Sequence, residues 1–514
     1  MGGPLPAVPR PWLAERIAAV TQIDPAAPVM EHDGHWQTWG ELGATIDAVA
    51  TAVPPGAAVG ILLRNRPAHV GLVLGVLRAG GVVVTINPAR GDDHTRDELT
   101  ELALPFVAGE ADDIARLVPS DWPGASVPVT AAGARSVGCF WRSSTKSSQQ
   151  NGPGDGGRTA VRMLTSGTTG PPKRVDLSYE TLERVLAGAK HYESNRAQAL
   201  RLRSGVAVVN SPLVHLGGLF RILQCVCDGR PFALLDRFTV VGWVDAVRRH
   251  RPATASLVPT ALRMVLDADV DPADVASLRS VVSGTAPLSP DDADAFTKRF
   301  GVPVLVSYAA TEFGGGVAGW NVADHREFWA TKRGSVGRAH PGCALRVVDA
   351  DSGAVRGPDE EGLLEVSASQ LGDDTGWVRT TDLARIDADG FLWIVGRADQ
   401  AILRGGFKVH PNQVAAVLER HPAVRGAAVV GRADVRLGAV PVAAVELRAD
   451  DDGLIPVTSD ELLAHAAGML ARYELPTEVR IVDALPRTPS GKVDLASVRA
   501  LLGVGDNGDT AGVG

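Results

Sequence analysis

From about residue 57 the chain alternates short β-branched runs with amphipathic stretches. Val59-Gly-Ile-Leu-Leu, Gly81-Val-Val-Val-Thr-Ile, Ala207-Val-Val-Asn, Ala255-Ser-Leu-Val, Ser280-Val-Val-Ser and Val302-Pro-Val-Leu-Val are nearly continuous in apolar character. That pattern predicts strands buried on both faces, as in parallel sheets, with helices between them: an α/β fold. Ser289-Pro290-Asp291-Asp292 supplies an N-cap, a first-turn proline and acids that suit the helix dipole, and Gly301 closes the helix. Near residue 345 the pattern changes. Leu345-Arg-Val-Val-Asp and Leu363-Leu-Glu-Val-Ser alternate around turns, which predicts antiparallel strands. After Arg397 comes a small α+β unit. It has a helix from Pro411 that stops before Pro422, a strand in Ala427-Ala-Val-Val-Gly, and a second helix opened by the capping box Thr458-x-x-Glu461. The domains implied are 1–397, 398–502, and a Gly/Asp-rich tail at 503–514 expected to be disordered. Ser143 to Gly157 is polar and low in complexity, as in a loop or linker.

The 514 residues are 45% hydrophobic and 21% charged, an ordinary globular mixture of several domains. A net charge of −8 gives no general electrostatic case for nucleic acid or an anionic membrane, so a polyphosphate would have to find local cations. The most apolar stretch, Val70 to Ile86, is broken by Arg78 and falls short of the roughly 18 residues of a membrane span. With no charged-then-apolar leader at Met1-Gly2-Gly3-Pro4, the expected location is cytoplasmic. Four cysteines exclude a disulfide scaffold, and no Cys/His group has zinc spacing. Cys225 and Cys227 read as buried, reduced thiols.

Chemistry first shows in Leu164-Thr-Ser-Gly-Thr-Thr-Gly-Pro-Pro-Lys173. Hydroxyls and backbone N–H groups can donate to phosphate oxygens there, and glycine lets the backbone approach closely. It is not a Walker A loop, because Lys173 follows Pro172 and precedes Arg174. Composition alone leaves a polar turn equally open.

As written, TSGTTGPPK resembles the phosphate loop of the adenylate-forming enzymes, the superfamily of acyl- and aryl-CoA ligases, peptide-synthesis adenylation domains and luciferases. Further motifs follow in the same order. Ser307-Tyr-Ala-Ala-Thr-Glu312 is similar to that family's Tyr-x-x-Thr-Glu, and Gly376-Trp-Val-Arg-Thr-Thr-Asp382 to its Gly-Trp…Thr-Gly-Asp. Gly396-Arg-Ala-Asp399 with Gly405-Gly406 resembles the hinge and the loop after it, and Leu485-Pro-Arg-Thr-Pro-Ser-Gly-Lys492 the C-terminal lysine motif.

The resemblance implies a large multi-subdomain N-terminal domain with mostly parallel sheets and a small mobile C-terminal domain. It also implies two half-reactions: a carboxylic acid and ATP give an acyl-adenylate and pyrophosphate, then a thiol displaces AMP. Lys173, Thr165, Ser166, Gly167, Thr168 and Thr169 would hold the β- and γ-phosphates, and Glu312 would anchor Mg²⁺, a hard cation suited to a carboxylate. Tyr308 would stack on adenine beside Gly284, Thr285, Ala286, Pro287, Ser307, Ala309 and Thr311. Asp382 and Arg397 would hold the ribose. Lys492 would bridge the substrate carboxylate and the α-phosphate, Asp399 would be the hinge, and Gly405 and Gly406 would line the thiol tunnel.

Ser211-Pro-Leu-Val-His215 resembles the Pro-Leu-x-His of acid ligases and has no acid to receive an α-ammonium, which disfavours amino-acid substrates. His215 would sit by the acyl group. The small residues Ala309, Ala310 and Gly314-Gly315-Gly316 either leave room for a bulky acid or give backbone freedom. The acceptor implied is CoA, with a carrier-protein phosphopantetheine or an amine as the alternative. A non-catalytic nucleotide-binding relative would not need the full set of charged residues. Departures from the family pattern are Arg174, Thr381, Gln400, Leu403 and Val493-Asp494-Leu495.

Overall fold

The apolar runs become strands of three sheets in the large domain. The computed structural model describes residues 12–129, 159–165, 173–188, 200–372, 375–450, 453–488 and 492–504. Strands Ala125–Val129, Phe106–Glu110, Ala58–Leu62, Val82–Ile86 and Thr159–Thr165 lie parallel in that spatial order, and Lys173–Ser178 closes the sheet antiparallel. A second sheet places Thr254–Ser256, Ser280–Ser283 and Val304–Ala310 in parallel, then Gly315–Gly319 and Arg338–Ala339 antiparallel. A third, smaller sheet joins Pro28–His32 and His35–Thr38 to Phe232–Leu234 and Ala207–Val209.

The change of pattern near residue 345 is real. Cys343–Val348, Gly362–Ala368, Val378–Ile386 and Leu392–Arg397 form an antiparallel meander. The small domain then builds its own sheet on the long pair Val424–Asp434 and Gly438–Leu447, flanked by Ile402–Arg404 and Phe407–Val409, with Glu478–Val482 alongside. Helices Pro411–Leu418 and Ser459–Ala467 cover it, the second opened by the reciprocal Thr458–Glu461 capping box read from the sequence.

Two local expectations change. Ser289 is the N-cap of Pro290–Phe300 but makes no side-chain cap bond, so the proline and the acids carry that helix start. The chain also stays packed to Val504, which joins Val498 and Leu502 against Ala428 and Val430. Residues 505–514 and Ser143–Gly157 lie outside the described residues. Val70–Ile86 divides into the ends of a helix, Pro67–Arg78, and a strand, Val82–Ile86. Among the described residues no helix is long and apolar enough to cross a membrane. Cys225 and Cys227 are both buried on Leu216–Cys227.

The first sheet keeps a buried histidine near its carboxyl edge. His69 has no exposed surface, and its Nδ1 accepts the Arg64 N–H at 2.8 Å. Burial pulls this imidazole down to about 4. Its folded pKa lies below the unfolded one, so the unfolded chain holds the extra proton between these values. Stability therefore rises with pH from about 4 to about 6.5. We expect this site alone to cost about 2 kcal/mol of unfolding free energy at pH 5 relative to pH 7. Urea titrations of wild type and His69→Gln at several pH values check this; the variant should lose one proton's worth of slope.

Candidate active site

The carboxyl edge of the second sheet supplies most of the polar groups. Val304–Ala310 ends at Ser307-Tyr308-Ala309, and a short 3₁₀ turn, Thr311–Phe313, carries Glu312 out of it. The neighbouring strand Ser280–Ser283 runs into Gly284-Thr285-Ala286-Pro287. A Cβ at Gly284 would stand 2.9 Å from the Ser307 carbonyl oxygen, so glycine lets the two edges touch. Thr285 has φ +72°, an unfavourable region for a β-branched residue, and such strain collects where a turn must present its backbone.

Tyr308 reaches across to the antiparallel meander, where its hydroxyl donates to Asp382 Oδ2. Burial, reinforced by the Asp382 carboxylate, raises the phenol, so Tyr308 stays a proton donor. Burial also raises the Asp382 carboxyl, against the pull of the Tyr308 bond and of Arg397. Arg397 is the cross-strand neighbour of Asp382, and its guanidinium forks onto Asp399 at 2.9 and 2.7 Å.

Lys492 enters from the small domain on a hairpin. Arg487 and Val493 bridge its base, the Thr488 N–H donates to the Lys492 carbonyl at 2.7 Å, and the Asp494 N–H donates to the Pro486 carbonyl at 2.9 Å. Asp494 then caps Leu495–Leu501, with side-chain bonds from Ala496 N–H and Ser497 N–H. Burial lowers the ammonium pKa, Glu312 raises it and Arg397 adds to the lowering, so the three side chains share one field.

His215 stands at the start of Leu216–Cys227. The segment before it is tied down by buried Asn65, whose Nδ2 donates to the Ser211 and Leu235 carbonyls at 3.1 and 2.8 Å. The Leu213 N–H donates back to Asn65 Oδ1 at 2.8 Å. Burial, then the cations Lys492 and Arg90, hold this imidazole down at about 4, so it is neutral near pH 7. Among the described residues, its Nε2 is buried without a hydrogen-bond partner.

His215, Gly284–Pro287, Ser307–Ala309, Thr311, Glu312, Asp382, Arg397 and Lys492 all line one cleft of about 2830 Å³ between the domains. Lys173 does not. It begins the strand opposite Thr165, so the two residues form the base of the glycine-rich connection. Ser166, Gly167, Thr168 and Thr169 lie outside the described residues. Asp399 sits behind Arg397, and Gly405 and Gly406 form a tight hairpin turn at φ +57° and +87°, outside the cleft lining.

Sequence reasoning missed three features. Arg174 turns inward and pairs with Glu98 of Asp92–Leu102, which anchors the strand. Thr381 is exposed, so its bulk points to solvent. The glycines at 314–319 serve protein packing. Cβ atoms at 314 and 315 would meet Thr181 and Val185, while His340 fills the space at Gly316 and Gly319, coming within 2.6 Å at the latter. Burial lowers the His340 imidazole to about 4, so a neutral ring lines this wall. The glycine spacing was the available signal, but it does not name what fills the gap.

Residues 15–372 match the family model for AMP-binding enzymes, and residues 413–492 match its C-terminal domain. A rice (Oryza sativa subsp. japonica) 4-coumarate–CoA ligase is 29% identical over 90% of this chain and 85% of its own. An indoleacetate–CoA ligase from Aromatoleum aromaticum is 34% identical over 66% of each chain. The o-succinylbenzoate–CoA synthetase of Bacillus subtilis, solved with its acyl-adenylate, superposes with a TM-score of 0.77 at 24% identity, covering 96% of this chain and 98% of that one. With the two family matches in chain order and His215, Tyr308, Glu312, Asp382, Arg397 and Lys492 lining one cleft, the chain belongs to the AMP-binding, adenylate-forming enzyme family.

Proposed function

We propose that this cleft activates an acid with an apolar, ring-bearing body, using Lys492, Glu312, Asp382, Arg397, Tyr308 and His215 in distinct roles. The overall chemistry is that of an ATP-dependent, AMP-forming acid–CoA ligase. In the first half-reaction a carboxylate oxygen attacks the α-phosphorus of ATP. The bond to the β-phosphate bridging oxygen breaks, and pyrophosphate leaves with that electron pair. In the second, a CoA thiolate carbon–sulfur bond forms at the acyl carbon and AMP leaves; the thiol proton passes to solvent or to a base. The chain's task is positioning and charge compensation more than covalent help.

The observation that carries this reading is that Lys492, from the small domain, lines one cleft with Glu312, Asp382, Arg397, Tyr308 and His215 of the large domain. An ammonium in this half-buried site is worth more to a developing negative charge than one in water, because little solvent screens it. Lys492 neutralises the acid carboxylate and the α-phosphate as they approach. Asp382 accepts from the ribose hydroxyls, with Arg397 held at its side by Asp399. Tyr308 covers the adenine face while its hydroxyl stays on Asp382. The donor set also suits Mg²⁺: Glu312 is a cleft-lining carboxylate that could hold the ion, which would supply charge neutralisation on the phosphates. The sequence resemblance assigns Lys173, Thr165, Ser166, Gly167, Thr168 and Thr169 to the β- and γ-phosphates.

His215 is neutral, so it can hydrogen-bond the acyl carboxyl or the incoming thiol without adding charge. Met163, Val185, Phe220 and Ala309 line the cleft with His215 and provide apolar surface for the acid. Relatives named for coumarate, indoleacetate and succinylbenzoate support a ring-bearing acid. A cytoplasmic setting, where ATP and CoA meet and thiols such as Cys225 stay reduced, suits the reaction. The domain boundary we propose is Arg397/Ala398, with Asp399 as the pivot residue.

The test is pyrophosphate and AMP release from ATP·Mg²⁺ across aryl, arylalkyl and aliphatic acids, each with and without CoA. Acid-dependent pyrophosphate with CoA-dependent AMP turnover on ring-bearing acids is expected. A preference for short aliphatic acids would overturn the acid class, and AMP release indifferent to CoA would overturn the acceptor.

Lys492→Ala should lower pyrophosphate exchange by about 10²-fold or more and leave thiolysis of a supplied acyl-adenylate within a few-fold of wild type. Equal loss of both steps would remove the lysine's assignment. Glu312→Gln should shift the Mg²⁺ dependence of the first step to higher concentration, and an unchanged titration counts against metal ligation. Asp399→Pro should spare pyrophosphate release and slow thioester formation; normal rates for both would mean the pivot lies elsewhere.

A further inference from the structure

Helix Pro259–Asp267 buries Ala261, Leu262 and Val265 against its own domain. Thr260, Arg263 and Asp267 follow the i, i+3, i+7 spacing of one helix face, and this face meets the small domain. Arg263 donates to Asp292 Oδ2 from Nε at 2.9 Å and from Nη2 at 2.5 Å, with Asp292 on the neighbouring helix Pro290–Phe300. The same guanidinium lies 3.8 Å from Glu419 Oε2 and donates from Nη1 to the Arg425 carbonyl, both in the small domain. Asp267 is 3.5 Å from Arg425 Nε and 3.5 Å from Arg448 Nη1. At the other end, Arg487 Nη1 approaches Thr260 Oγ1 at 3.4 Å.

Arg487 is the residue that bridges to Val493 at the base of the Lys492 hairpin. The contacts of one helix face therefore reach the strand ends that carry Lys492. We propose that Thr260, Arg263 and Asp267 form the seat that holds the small domain in the orientation placing Lys492 in the cleft, with Arg263 as the central positioning residue. This rests on the assignment of Lys492 to the first half-reaction.

The charge arrangement suits a contact that must both hold and release. Arg263, Asp292 and Glu419 are well shielded, with side-chain exposures of 17%, 13% and 25%, so their attraction is less screened than that of a surface pair. When the small domain leaves, Arg263 keeps Asp292, which belongs to its own domain. No guanidinium is stranded without a partner, which would be the costly outcome. Glu419 likewise keeps the Ala427 N–H at 3.1 Å within the small domain. The outer contacts from Asp267 are longer and more exposed, and salt weakens them.

Two variants test the seat. Arg263→Ala removes its centre, and Asp267→Asn removes charge from a partly exposed rim position with little effect on the core. The first readout is hydrogen–deuterium exchange of the full-length protein with ATP·Mg²⁺ alone. Both variants should exchange faster in segments 259–267 and 485–494, which belong to different domains, while Val240–His250 stays unchanged. The second readout uses the acid that the panel identifies: pyrophosphate exchange should fall about tenfold for Arg263→Ala, with thiolysis of the supplied adenylate within twofold of wild type. Arg263→Lys should recover part of the loss.

Unchanged exchange in both segments overturns the seat, and so does an equal fall in the two half-reactions. Lys492→Ala run in parallel separates the two ideas. If it keeps pyrophosphate exchange, the lysine assignment fails. If it loses that exchange but keeps the protection of 259–267 and 485–494, then an unaffected Arg263→Ala condemns the seat alone.

Discussion

An ammonium group half-buried between two domains is the constraint on which the rest of this structure turns. Taking Lys492 out of water disfavours its charge, and Glu312 is the acid that opposes that penalty. The two side chains come from different domains, so this electrostatic influence exists only in one relative orientation. Nearby groups follow from that. A second cation in the same space would be costly, and His215 is accordingly held neutral by burial and by Lys492 itself. Arg397, which shares the field, is forked onto Asp399 and so is already compensated.

The polar side of the cleft is built from strand ends that belong to two sheets. Tyr308 comes from a mixed sheet and Asp382 from the antiparallel meander, and their hydrogen bond joins the two across the cleft. Strain and close approach are concentrated at the same edge, with Thr285 in the left-handed region and Gly284 pressed against the Ser307 carbonyl. A site that must present backbone groups to a ligand is where such costs are tolerated. Supporting residues lie further out. Asn65 fixes the turn before His215 from the opposite sheet, and Arg174 ties the strand below the glycine-rich connection to Glu98.

The glycine-rich wall of the cleft reads differently from its composition. A run of glycines suggests empty space, yet Thr181, Val185 and His340 occupy what the missing side chains leave. The wall is therefore shaped by a helix and a neutral imidazole pressed against a bare strand. Its shape depends on residues far apart in the chain, and no local stretch describes it.

The sequence by itself determined the α/β alternation, the shift to antiparallel strands near residue 345, the Thr458 capping box, and the motif residues in their order. These are local properties: periodicity, cap chemistry and short-range spacing act over a few residues and can be read directly. Even there, Ser289 shows the limit, since a good capping residue made no cap bond. Tertiary structure alone decided that Tyr308 bonds Asp382, that Arg174 turns toward Glu98, that His340 fills the glycine strand, and that Arg263 meets Glu419 across the domain boundary. Each joins residues at least 21 positions apart, from 319 and 340 to 263 and 419. Charge pairing and burial act through distance in space, and a linear sequence does not contain that distance until the chain has folded.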